Sequence, residues 1–202
     1  MLSDLLANFN WIDILVLCLI TRIITNGSRS TILGEFLALV GAMCATFVTL
    51  HYYVRFGDWL NKNIFLPELV QEIFAFILLW LTAYLAFKLI ISGWGLIFKA
   101  STPMGLTQWI GAIIATLRSF FVCGLVFMLF LLCGSEYLQK IARQSFSGFY
   151  LVDFAPRMYH IAYDEFVSKL FPGEPLNEKA LDLAKAPGKK KKSGESGEKD
   201  GK

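Results

Sequence analysis

Three long apolar runs set the terms on which this chain can fold. Ile32 to Val54, Leu69 to Phe98 and Thr107 to Cys133 each exceed the roughly 20 residues with which a helix crosses about 30 Å of hydrocarbon. A helix satisfies its own backbone hydrogen bonds in lipid, where no water is present to do so. Charge within the runs is sparse: Glu35 in the first, Glu72 and Lys88 in the second, Arg118 in the third. A shorter segment, Trp11 to Ile24, carries Asp13 at one end and Arg22 at the other, positions from which a side chain reaches headgroups. Phe9 and Trp11 extend its apolar length at the interface. The expectation is an all-α integral membrane bundle of four transmembrane helices, the first one short. Three spans plus an interfacial helix is the alternative.

Composition points the same way. Hydrophobic residues make up 55% of the 202 and charged residues 17%, against roughly 45–50% and 25% in soluble domains. The lipid bilayer is therefore the expected surrounding. Net charge is +3 and four of the 19 basic residues fall in Lys189 to Lys192, so the rest is nearly balanced and nucleic acid is not an expected partner. Met1 to Asn10 holds Asp4 and no basic residue, unlike the start of a cleaved signal peptide. Cys18, Cys44, Cys123 and Cys133 lie far apart in apolar runs, without a C-x-x-C pair, and read as small apolar residues.

The segments joining the runs are short: Asn26 to Thr31, Arg55 to Glu68 with Pro67, and Lys99 to Leu106 with Pro103 and Gly105. Such connections make sequential helices antiparallel neighbours. After Gly134 the stretch from Ser135 to Phe171 mixes charge with aromatics and is too polar to span. Leu138, Ile141 and Ala142 share one helical face; Tyr159, Ala162, Tyr163, Phe166, Val167 and Leu170 share another, with Pro156 suited to its first turn. These amphipathic pieces fit the membrane surface or the side of the bundle. From Pro172 onward Gly, Lys, Glu, Ser and Pro dominate, and a disordered charged tail is expected. Three units result: 1–134 transmembrane, 135–171 amphipathic, 172–202 tail.

Two rows of small residues stand out. Gly111, Ala115 and Ser119 recur every four positions in the last run, and Gly34, Ala38, Ala42 and nearly Ala45 do so in the first. Small residues let helices approach closely where lipid supplies no hydrophobic drive. Packing within one chain is the preferred reading; a seam between copies or with other membrane proteins is the alternative.

Four charges invite a second grouping. With alternating spans, the loops at Asn26 to Thr31 and Lys99 to Leu106 share one side of the membrane. Glu35 then lies about one turn inside, and Lys88 and Arg118 each about three turns from the ends nearest that side. Together with Arg22 they form a candidate half-buried cluster that locks helix register. An ion or proton pathway is the functional alternative, although such pathways use several acids or histidines along a line. Snorkelling of Lys88 and Arg118 to headgroups is the third.

No catalytic signature is present. His51 and His160 have no second ligand at metal spacing, and His51 beside Tyr52 and Tyr53 suits an aromatic belt at the water interface. G-x-S-x-G, Walker and H-E-x-x-H patterns are missing, so neither an enzyme nor a cofactor is expected. Lys189 to Lys192 is followed by Glu195, Glu198 and Asp200, which suits a solubilising tail better than a lipid anchor.

The order of several blocks resembles the colicin V production protein family. These are the opening N-W-I-D-I-L-V-L-C-L-I, Gly27 with Arg29 and then Glu35, G-E-F-L-A-L-V-G, H-Y-Y, G-L-T-Q-W-I-G-A-I-I-A-T-L-R-S and S-F-S-G-F-Y-L-V-D-F-A-P. About residues 10 to 165 are covered. The chain departs from the family pattern at Thr31 and Gln108, and keeps small size without glycine at Ala115 and Ser119. The resemblance implies a multi-pass bacterial inner-membrane protein associated with production or export of a peptide toxin and with envelope maintenance. It transfers no catalytic or binding residue.

Overall fold

A computed structural model describes residues 10–63, 67–97, 105–170 and 175–184. The four helices of the bundle are α1 (Trp11–Gly27), α2 (Ile32–Asn63), α3 (Glu68–Ile97) and α4 (Leu106–Leu132). Beyond them come α5 (Glu136–Gln144), α6 (Phe146–Leu151) and α7 (Phe154–Ala162), which runs on through a π-helical turn (Tyr163–Val167) into α8 (Ser168–Leu170). The last helix among the described residues is α9 (Glu178–Ala184). The all-α membrane reading holds: α2, α3 and α4 are each long and apolar enough to cross a bilayer. The fourth crossing is not established. At 17 residues α1 is about 26 Å long, short of a hydrocarbon core of about 30 Å.

The pairs are antiparallel but not simply sequential: α1 packs on α4 and α2 on α3, while α1 scarcely touches α2, the neighbour that its short connection predicts. In α1 and α4, Gly27 lies against Gly111 at one end and Trp11 faces Phe130 at the other, ring centroids 6.1 Å apart. In α2 and α3, Gly41 meets Phe87 and Gly57 meets Gln71 and Ala75. The bundle thus has a loop end, near residues 28–31, and a tail end, where α5 to α9 gather.

Helix α2 runs nine residues past the expected stop at Val54, so most of the expected 55–68 connection is helical. Its 32 residues measure about 48 Å, more than a bilayer's hydrocarbon requires. The polar extension is held by α3, whose Gln71 amide donates to the Gly57 carbonyl. The small Gly57 lets that side chain sit flat against the helix.

The hydrophobic core lies at the tail end. Ile12, Leu50, Tyr53, Phe76, Phe127 and Met128 are buried with Leu151, Ala155 and Tyr159 of the post-membrane helices. Gly124 makes room for α7, because a Cβ there would stand 3.0 Å from that of Ala155. The amphipathic segment therefore packs on the bundle, while Tyr137, Phe146, Phe149 and Tyr150 face outward as interfacial aromatics do. The side chains of Phe166 and Leu170 lie outside the described residues.

Two expectations need correction here. His51 is not at a wet interface: it is 4% exposed, its Nδ1 lies 2.9 Å from the Tyr159 hydroxyl, and Tyr53 beside it is fully buried against Phe76. Only Tyr52 of that trio is exposed. The covering α7 is the cause. The expected tail also packs along its described part. Ala180 in α9 is fully buried, and Leu176, Leu181 and Leu183 lie on the core. Asn177 donates its side-chain amide to the Leu50 carbonyl at 2.7 Å and its backbone N–H to the Tyr159 hydroxyl at 3.0 Å. Residues 185–202, including Lys189 to Lys192, lie outside the described residues.

Candidate functional site

At the loop end α1 and α3 scarcely touch, and the gap between them is a cavity of about 850 Å³ backed by α2 and α4. Its geometry follows from α3. This helix buries Gln71, Ala75 and Phe76 near the tail end and then exposes most of its remaining side chains. Contact with α2 persists at Gly41, where a Cβ would press on the Phe87 ring at 2.9 Å.

The walls are mostly apolar. Leu19 and Ile23 come from α1, Trp80, Leu81 and Tyr84 from α3, and Val122 and Leu125 from α4. The floor is the small face of α2: Gly34, Ala38, Gly41, Ala42 and Ala45 all line the space. The two small rows consequently do different things. Gly111, Ala115 and Ser119 are buried on α4. A Cβ on Gly111 would come within 2.8 Å of the Gly27 carbonyl oxygen, and one on Gly27 would collide with the Ala115 Cβ. That row is a seam within the chain; Gly34, Ala38 and Ala42 line the cavity instead.

Arg22, Glu35, Lys88 and Arg118 all line this cavity. Their contacts differ. Arg118 reaches Glu35 at 2.9 Å, with Glu35 4% exposed. The guanidinium lies off the hydrogen-bonding axis, because Glu35 Oε2 has a charged neighbour and no aligned donor. The other oxygen accepts a bond of 2.5 Å from the Ser30 hydroxyl. Gly27 leaves the room this needs: a Cβ there would lie 3.2 Å from the Glu35 carboxyl. One carboxylate thus ties the α1–α2 turn to α4. Removing either charge would strand the other, buried and without its counter-charge.

Arg22 and Lys88 do not join that pair. Both side chains are exposed, and among the described residues neither has an acidic partner. They stand on opposite walls, one on α1 and one on α3. The register of Gly41 with Phe87 sets Lys88 about 12 Å below the start of α2.

Sequence patterns gave no warning of Ser30 or Gly41. The first lies in a polar turn that looks like any loop; the second falls one position out of step with the row Gly34, Ala38, Ala42. At the tail end, Asp13 accepts the Asn10 N–H at 2.9 Å, the Ser147 N–H at 2.9 Å and the Ser147 hydroxyl. A charge suited to a headgroup region instead fastens α1 to α6.

Helices of spanning length around a charge-lined cavity define a helical membrane protein, in a lipid environment. Within that class, residues 12–156 match the colicin V production protein family, and the chain belongs to it. It is accordingly a bacterial membrane protein. No curated protein and no solved structure matches the chain.

Proposed function

We propose that this is a non-enzymatic, multi-pass protein of the bacterial inner membrane that supports toxin production or export, or envelope maintenance. It acts through helix contacts with itself or with partner membrane proteins. One observation carries the reading: Glu35 is the single acid among the described residues lining the cavity, and it is bound to Arg118 and Ser30. A proton or cation path needs acids or histidines in sequence along its length. Here the one carboxylate serves to fix helix positions. In this reading α1 is a fourth, short crossing, and both termini face the cytoplasm.

The cavity itself favours a second reading, a small transporter or channel subunit that uses Glu35, Lys88 and Arg118. Replacing each in turn by Gln separates the two. The scaffold reading expects secretion or envelope phenotypes to fall in step with protein abundance and assembly. A variant present at normal level, normally assembled and unable to move an ion or solute in proteoliposomes would transfer the case to transport. Reporter fusions after Asn10, Gly27 and Ala184 test the topology: a fourth crossing places the middle fusion opposite the other two.

A further inference from the structure

We propose that the cavity between α1 and α3 holds an anionic phospholipid, with an acyl chain in the apolar chamber and the phosphate between Arg22 and Lys88. The volume, about 850 Å³, lies within the roughly 300–1,000 Å³ of ligand sites. Its walls are apolar, as a lipid tail requires, and Gly34, Ala38 and Ala42 leave room on the α2 floor beside Leu33 and Leu37.

Charge selects the headgroup. Among the described residues, three cations, Arg22, Lys88 and Arg118, and one acid, Glu35, line the space, and subtraction of one from three leaves +2. The Glu35–Arg118 pair cancels internally, so the excess resides on Arg22 and Lys88, which lack an acidic partner among the described residues. Two unbalanced cations on opposite walls of an apolar cavity want an anion, and Arg in particular presents a donor fork suited to phosphate. Basic pockets between membrane helices bind anionic headgroups for this reason. A second copy docking about a two-fold axis would bring the same surface, and hence the same positive charge, to the site. The gap between α1 and α3 gives lateral entry from the bilayer.

The test uses the full chain in detergent, offered phosphatidylglycerol or phosphatidylcholine with identical acyl chains, and read by native mass spectrometry. Retention of the anionic lipid should exceed that of the zwitterionic one by about thirtyfold, the factor expected of two surface cations. Arg22→Gln with Lys88→Gln should abolish the preference while Arg22→Lys with Lys88→Arg keeps it. Ala42→Trp, which fills the chamber and leaves the charges alone, should also expel the lipid and serves if the double variant does not fold. Equal retention of both lipids, or an unchanged preference in the Gln double variant, overturns the proposal. So does displacement by millimolar inorganic phosphate, or an Ala42→Cys disulfide dimer showing that a second copy occupies the space. Failure here leaves the scaffold reading standing, because that rests on Glu35 and Arg118.

Discussion

At the tail end of the bundle, stability is spread over many contacts: Leu50, Tyr53, Phe127 and Met128 pack with α6, α7 and α9, and Asn177 adds hydrogen bonds to Leu50 and Tyr159. At the loop end the burden falls on few atoms, chiefly the Glu35–Arg118–Ser30 cluster and the Gly27–Gly111 contact. Half of α4 illustrates each regime. Phe121 to Leu132 bury eight residues, whereas Leu106 to Phe120 bury only Gly111, Ala115 and Ser119. A chain that needs a lipid-accessible chamber gains it by concentrating its packing at the opposite end, and a polar cluster then keeps the open end in register.

The contrast predicts unequal sensitivity to substitution. The largest effect is expected from Arg118→Ala, which leaves Glu35 buried without its counter-charge and should cost about 3–5 kcal/mol. Loss of protein from membranes and a lower melting midpoint in detergent are the readouts. Gly27→Leu comes next, since even a Cβ there collides with Ala115; overpacking of this kind costs about 1–3 kcal/mol, and the upper part of that range is expected. The cavity should change shape with it, visible as altered labelling of an Ala42→Cys probe.

At the tail end the expected changes are smaller. Tyr159→Phe removes a hydroxyl bonded to His51 and to the Asn177 N–H, and should cost about 1–2 kcal/mol, with faster amide exchange across α9. Lys179→Ala breaks an ion pair with Glu72 whose lysine is about half exposed, and should cost less than about 1 kcal/mol. A tail-end variant as damaging as Arg118→Ala would erase the distinction between the two ends.

The amino-acid sequence reveals the parts of this fold that depend on length and periodicity. Spans ending near Ile97 and Leu132 are legible because hydrocarbon thickness fixes how long an apolar run must be. Arg55 to Asn63 reads as a connection because Arg55, Asp58 and Lys62 break the apolar run; charge reports solvent, and a helix that outruns the membrane carries charge as well. The convergence of Arg22, Glu35, Lys88 and Arg118 on one cavity follows from antiparallel topology, yet which of them pair depends on α3 standing away from α1. Periodicity likewise put Gly34, Ala38 and Ala42 on one face without saying what that face meets. In the tail, charge and proline masked the short motif from Ala180 to Leu183, whose apolar residues find a partner only because α7 and α4 already form a surface.

The account turns on the Glu35–Arg118 bond as the fastener of the open end, and exchanging the two charges tests it directly. Glu35→Arg and Arg118→Glu should each deplete the membrane of protein when made alone, and the two together should restore a substantial part of the wild-type amount and melting midpoint. A double variant no better than the weaker single one would contradict it.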